Sequence, residues 1–275
     1  MKIILLCGGK GTRLHEETEF RPKPMVTIGG RPILWHIMKT FDYYGFSDFI
    51  CCLGYRGEVI KDYFLNYESM HRDLTVSLDR QKPVIYHGEP NERHFQVTLA
   101  ETGSENNSGS RVKQTRKYVD GDGDDIFMVT YGDGVADIDI PKLLAFHRSH
   151  GKLATVTTVN PASRFALIQF DESGKVVTYK EKPKMHSWIS VGYFVFDKRV
   201  FDYLSEAPES MLEKEPLERL AREGQLMAYK HDGFFYAMDT FRDFTFLNDL
   251  WNQSKAPWAV WDQERHGSST LDVSL

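Results

Sequence analysis

Cysteine is scarce: the 275 residues hold three, Cys7, Cys51 and Cys52. None stands in a C-x-x-C spacing, so neither a disulfide framework nor a cysteine-based metal knuckle is indicated. Cys51 and Cys52 are neighbours in the strand-like run 49–53, so they are expected to point to opposite faces as small buried hydrophobes of a reducing compartment. Long apolar runs are missing too, and nothing approaches the roughly 20 residues of a membrane span. The apolar start, Met1 to Cys7, stops at Gly8-Gly9 without the small-residue cleavage pattern of a signal peptide; it predicts a buried first strand, and with it a cytoplasmic chain without a membrane partner. Positive charge is not in excess. Lys and Arg number 34 against 39 Asp and Glu, a net charge of −5, which excludes a global basic field for nucleic acid but leaves room for a local anion site. Walker A, G-x-G-x-x-G, G-x-S-x-G and H-E-x-x-H are all absent, which argues against P-loop, dinucleotide-binding, serine-hydrolase and zinc-peptidase chemistry.

Strand-like and helix-like runs alternate through the first two thirds, the signature of an α/β fold with a mostly parallel, Rossmann-like central sheet flanked by helices. Strands are predicted at 2–7, 48–53, 125–130 and 153–159, with helices at 32–44, 57–66 and from Pro141 to about Gly151. The second half is richer in antiparallel pairing. Runs 165–170 and 175–180 flank Asp171-Glu172-Ser173-Gly174 as a hairpin, strands follow at 189–196 and 226–230, and helices are expected near 213–223 and 241–252. One domain over 1–255 accounts for this order, with 1–135 as its first part, 136–255 as its second and 256–275 as a tail in which Trp258 and Trp261 can pack on the body.

The chemistry concentrates in two places. Gly8-Gly9-Lys10-Gly11-Thr12-Arg13-Leu14 follows the first strand directly. Glycines let several backbone N–H groups approach one anion, and Arg13 adds a planar cation suited to phosphate oxygens. Arg21-Pro22-Lys23-Pro24 comes next, where two prolines are expected to hold the backbone around Lys23 extended and stiff. Asp120–Asp125 looks like a calcium loop but puts Asp125 where glycine is needed and Tyr131 where the last carboxylate is needed, so it reads as an acidic turn. His147 and His150 share a helix face without a third ligand and read as surface residues.

G-G-K-G-T-R-L followed by P-K-P resembles the signature of the sugar-nucleotide pyrophosphorylases, a nucleotidyltransferase family. Tyr131-Gly132-Asp133-Gly134, Glu181-Lys182-Pro183 and Met238-Asp239-Thr240 fall in that family's order. Glu16-Glu17-Thr18, the run from Pro32 to Met38, the run from Thr130 to Asp137, and Lys255-Ala256-Pro257-Trp258 are most similar to the branch that acts on glucose 1-phosphate with CTP. The resemblance implies transfer of a cytidylyl group to a sugar 1-phosphate by a homo-oligomer. It implies a nucleotide site of Leu6, Cys7, Gly8, Gly9, Lys10, Gly11, Thr12, Arg13, Lys23, Arg111 and Gly132, with Arg13 and Lys23 catalytic. Glu181, Lys182 and Gly192 would take the sugar phosphate, and Asp133 with Asp239 would hold Mg²⁺, an ion that takes one or two carboxylates plus phosphates and water. Asp239, just before a helix, also suits an N-cap.

Base and sugar stay open on the residues. Gln96 to Gly103 stands where thymidylyl and uridylyl relatives carry a P-x-G-x-A segment, and Arg111 can donate to cytosine O2 and N3 but also to uracil O2. Arg164-Phe165-Ala166 replaces the R-F-G of the glucose enzymes, and Ser190-Val191-Gly192 their N-G-G. A different NTP or phosphorylated acceptor, and a non-catalytic sensor on the same scaffold, are the alternatives.

Overall fold

The computed structural model describes residues 1–262 apart from Lys10, Arg80, Gln81, Pro90, Asn91, Arg93, Asp122, Arg164 and His186, and only the backbone of His15 and Glu16. Lys10, Arg164 and the tail beyond 262, all invoked above, therefore lie outside the described residues. In chain order the principal strands are β1 (Ile3–Leu6), β2 (Asp48–Leu53), β3 (Gln96–Glu101), β4 (Ile126–Tyr131), β5 (Gly134–Ala136), β6 (Ala154–Val159), β7 (Leu167–Phe170), β8 (Val176–Lys180), β9 (Ile189–Asp197), β10 (Leu226–Lys230) and β11 (Phe235–Ala237). The principal helices are α1 (Ile33–Tyr43), α2 (Gly57–Leu65), α3 (Ser108–Gln114), α4 (Ile140–His150), α5 (Glu215–Arg222) and α6 (Phe241–Asn252).

A seven-stranded sheet in the order β10-β6-β9-β4-β1-β2-β3 organises these elements. β1 pairs in parallel with both β4 and β2, and β3 continues the parallel half beyond β2. β9 alone runs against its neighbours, pairing antiparallel with β4 and β6. The predicted mixed sheet is thus present, and its antiparallel element sits between parallel strands. β3 is a strand that the residue pattern does not predict. Its outer edge pairs with nothing in this sheet, and half of its residues are polar, so it carries little of the apolar signal of a central strand.

Both faces of the sheet are covered, which is why β1, paired on both sides, is apolar throughout. Ile3 and Leu5 join the core beneath α1, α4 and α6, while Ile4 and Leu6 join the core beneath α3 and α5. Cys51 and Cys52 divide in the same way, as strand alternation requires. Trp258 is fully buried, and its Nε1 donates to His36 Nδ1 at 3.3 Å.

His147 is not a surface residue: it is 4% exposed and its Nδ1 stands 2.9 Å from Thr155 Oγ1, which is also 2.8 Å from His150 Nε2. β6 lies against α4 and buries the face that sequence spacing alone leaves ambiguous. Burial, then the neighbouring His150, pushes His147 down from 6.5 to about 4. Unfolded His147 takes up its proton near 6.5 and the folded one only near 4, so within that window the unfolded chain holds more protons and stability falls as the pH drops. His147→Gln, which can still accept from Thr155, is expected to flatten this acid limb in urea unfolding midpoints measured across the window; an unchanged slope would contradict it.

Candidate active site

A cavity of about 670 Å³ opens at the C-terminal ends of β1 and β4, the side on which open parallel sheets bind ligands. Its floor is the glycine loop. Gly11 takes φ +60°, a left-handed value that glycine adopts without strain, and its carbonyl accepts from Leu14 N and from Thr18 Oγ1, each at 3.0 Å. A short 3₁₀ turn at Thr12–Leu14 follows and carries Arg13 outward, its side chain 74% exposed.

Lys23 departs from expectation. Pro22 is extended, but Lys23–Met25 form a 3₁₀ turn closed by Met25 N donating to Pro22 O at 2.8 Å. The turn aims Lys23, buried with its neighbours, into the cavity between two carboxylates: Nζ lies 2.7 Å from Asp133 Oδ2 and 2.5 Å from Asp239 Oδ1. Burial lowers the Lys23 pKa, but the charge of Asp133 and the hydrogen bonds to both carboxylates outweigh it and hold the ammonium above its ordinary range. Arg13 Nη2 reaches the same Asp239 oxygen at 3.2 Å.

The two aspartates, more than a hundred residues apart, meet through backbone pairing. β5 and β11 form an antiparallel ladder in which Gly134 faces Ala237, and Met238 N donates to Asp133 O at 2.9 Å. Asp133 therefore precedes one strand where Asp239 follows the other. Capping does not claim Asp239. Thr240 is the N-cap of α6, and its hydroxyl and backbone form a capping box with Asp243, which also accepts from Asp239 N at 3.0 Å. The Asp239 carboxylate is left for the cavity.

Arg111 lines the cavity yet works mainly as a brace. It is 4% exposed; Nη1 donates to Leu53 O at 2.8 Å and Thr102 Oγ1 at 2.9 Å, and Nη2 donates to Gly8 O at 3.1 Å and Ser104 O at 3.3 Å. A Cβ on Gly8 would fall 2.1 Å from the Arg111 guanidinium carbon, so glycine is required there by close packing as well as by any ligand. Leu6, Cys7, Gly9 and Thr12 line the cavity. Gly132 does not; its missing side chain makes room for Pro24 Cγ, which a Cβ would approach to 2.9 Å. Gly192, at φ +75°, is wedged against the Tyr131 ring at the cavity edge.

Glu181 and Lys182 are outside the cavity lining. They follow β8 on the two-stranded β7–β8 ribbon; Glu181 is exposed, and Lys182 takes the left-handed φ of +42°. That conformation is uncommon for a side-chain-bearing residue and frequent at ligand sites. Sequence reading also missed part of the wall. Ser104 to Ser108, Met211 and Glu213 also line the cavity. The run Thr102-Gly103-Ser104-Glu105-Asn106-Asn107 had a loop's composition, whereas nothing local linked 211–213 to it.

A glycine loop, two cations and two carboxylates gathered at the end of a parallel sheet define a phosphate-handling enzyme. A model of the nucleotidyl transferase family matches residues 2–256, and the chain belongs to that family. It is 45% identical over 265 residues to the glucose-1-phosphate cytidylyltransferase of Salmonella typhi, covering 95% of this chain and all of that one. It is 43% identical over 261 residues to a "Probable glucose-1-phosphate cytidylyltransferase" of Bacillus subtilis, again with 95% and 100% coverage. Among solved structures, HddC from Yersinia pseudotuberculosis superposes with a TM-score of 0.63 at 21% identity, over 91% of this chain and 99% of that one, a likeness of fold.

Proposed function

We propose that the chain transfers the cytidylyl group of CTP to a sugar 1-phosphate, foremost α-D-glucose 1-phosphate, with release of pyrophosphate. The observation that carries this reading is Lys23 held between Asp133 and Asp239 at the mouth of the glycine loop. The near-full-length likeness to the two cytidylyltransferases supports the choice of CTP.

A phosphate oxygen of the sugar 1-phosphate attacks the α-phosphorus in line, the bond to the β-phosphate oxygen breaks, and pyrophosphate leaves. Such a displacement needs positioning and charge neutralisation rather than a protein nucleophile. The glycine loop would donate backbone N–H groups to the phosphates, and Arg13 and Lys23 would offset charge on the transferring and leaving groups. Two carboxylates aimed at one cation are hard oxygen donors of the kind Mg²⁺ takes, so Asp133 and Asp239 fit the ion the resemblance implies. When bound, Mg²⁺ would withdraw charge from the phosphate oxygens. Glu181 and Lys182 would serve the sugar phosphate from the ribbon, whose exposed apolar side chains suit the homo-oligomer the resemblance implies. Among the described residues no helix is long and apolar enough to cross a membrane.

Pyrophosphate release, measured with each common NTP against a panel of sugar 1-phosphates, tests the reading. CTP with glucose 1-phosphate is expected to lead, EDTA to stop release and Mg²⁺ to restore it. Tight nucleotide binding without release would make the chain a sensor. An acceptor other than glucose is favoured by one feature: Ser190-Val191 stands where the glucose enzymes carry an amide and a glycine, with Val191 buried and Ser190 Oγ accepting from Gly192 N at 3.3 Å.

A further inference from the structure

The cavity lining gathers two sets of residues. Asp133, Asp239, Lys23 and Arg13 are ion-paired to one another and form the set where the triphosphate belongs. A nucleotide with its phosphates there presents its base to the second set, the 104–108 loop with Met211 and Glu213 of the connection between β9 and α5. These two segments are joined to each other. Asn107 N donates to Pro208 O at 2.8 Å, Ser110 Oγ to Glu206 O at 2.8 Å, and Leu212 N to Ser108 Oγ at 2.9 Å. Gly109 permits the approach, since a Cβ there would fall 2.7 Å from Ser210 Oγ. The wall is a fixed surface assembled from distant parts of the chain.

We infer that Glu213 selects the base by accepting a hydrogen bond from the exocyclic amine of cytosine, an inference that rests on the nucleotidyl-transfer reading above. Ser108 Oγ donates to Glu213 Oε2 at 2.7 Å, which turns the carboxylate toward the cavity and uses the hydroxyl's only hydrogen. No other hydrogen bond or ion pair engages Glu213 among the described residues, so its second oxygen is open to a ligand. A carboxylate only accepts. Cytosine offers an amine at C4, whereas uracil and thymine offer a carbonyl oxygen there, which a carboxylate repels. Arg111, the cation of this wall, makes no such distinction, because its terminal N–H groups already serve Leu53, Thr102, Gly8 and Ser104.

The test compares kcat/KM for CTP and UTP in wild type, Glu213→Gln and Glu213→Ala, with far-UV circular dichroism and thermal unfolding as checks on folding. Both substitutions are expected to lower the CTP-to-UTP ratio by about ten- to a hundredfold. The glutamine amide can donate to a C4 carbonyl, so that variant gains on UTP. A second arm leaves the protein intact: a CTP analogue with hydrogen in place of the 4-amino group should lose about the same factor on wild type. If the variants fold, that loss should shrink in them. A ratio that stays within about twofold in folded variants, or an analogue used as well as CTP by wild type, overturns the role of Glu213 while the cytidylyl reading stands. A wild type that prefers another NTP overturns both, and that result is seen before any variant is compared.

Discussion

Asp133→Asn is expected to lower the rate of pyrophosphate release by about a thousandfold or more, the size of effect seen when a preorganised charge-stabilising group is lost. Asparagine keeps the shape and one acceptor oxygen, so the β4–β5 turn and its bond from Met238 N to Asp133 O persist. Charge is what disappears. Lys23 would retain Asp239 as its counter-ion, so the fold should hold, while a divalent ion would lose one of two carboxylates. Asp239→Asn should act in the same direction, and it would also remove the charge facing Arg13. The measurement is kcat at saturating CTP and sugar 1-phosphate, together with the Mg²⁺ concentration for half-maximal rate, which should rise in both variants. Turnover retained within about tenfold would take the metal away from these residues.

Arg111→Met should destabilise the protein by about 3 kcal/mol or more, since buried acceptors that lose a charged donor cost about 1–3 kcal/mol each and water cannot reach them all. The guanidinium satisfies three carbonyls and one hydroxyl from three separate segments, the glycine loop among them. Its loss should therefore also raise KM for the nucleotide, by loosening Gly8. Lysine is not an adequate substitute, because one ammonium on a flexible stem cannot reproduce a planar fork. Urea unfolding reads the first effect and initial rates the second. A stability change below about 1 kcal/mol would show that the guanidinium is not the brace described. Gly8→Ala should resemble Arg111→Met in both measurements, as its Cβ would occupy the place of the guanidinium.

Much of the architecture could be read from residue pattern. Asp48–Leu53, Leu226–Lys230 and Phe241–Asn252 match the predicted bounds, because each is an apolar or amphipathic run closed by turn or capping residues. The glycine loop, Lys23, Asp133 and Asp239 were also legible, through short motifs whose spacing lies within one turn or one strand end. What failed depended on neighbours distant in sequence. His147 is buried only because β6 lies beside α4. Lys23 begins a 3₁₀ turn where two prolines suggested extension, since proline fixes its own φ and biases the residue before it but leaves the residue after it free.

The sequence by itself determined the strand-loop chemistry, the alternation of elements and the family to which the chain belongs, all of which are encoded within a few residues of one another. Only the tertiary structure decided that Asp133 and Asp239 share one ammonium, that Arg111 is tied to backbone carbonyls, and that Glu213 stands beside Ser108. These are consequences of strand register and of loops closing on one another, and hydrogen-bonded pairing across a hundred residues leaves no periodicity in the chain that forms it.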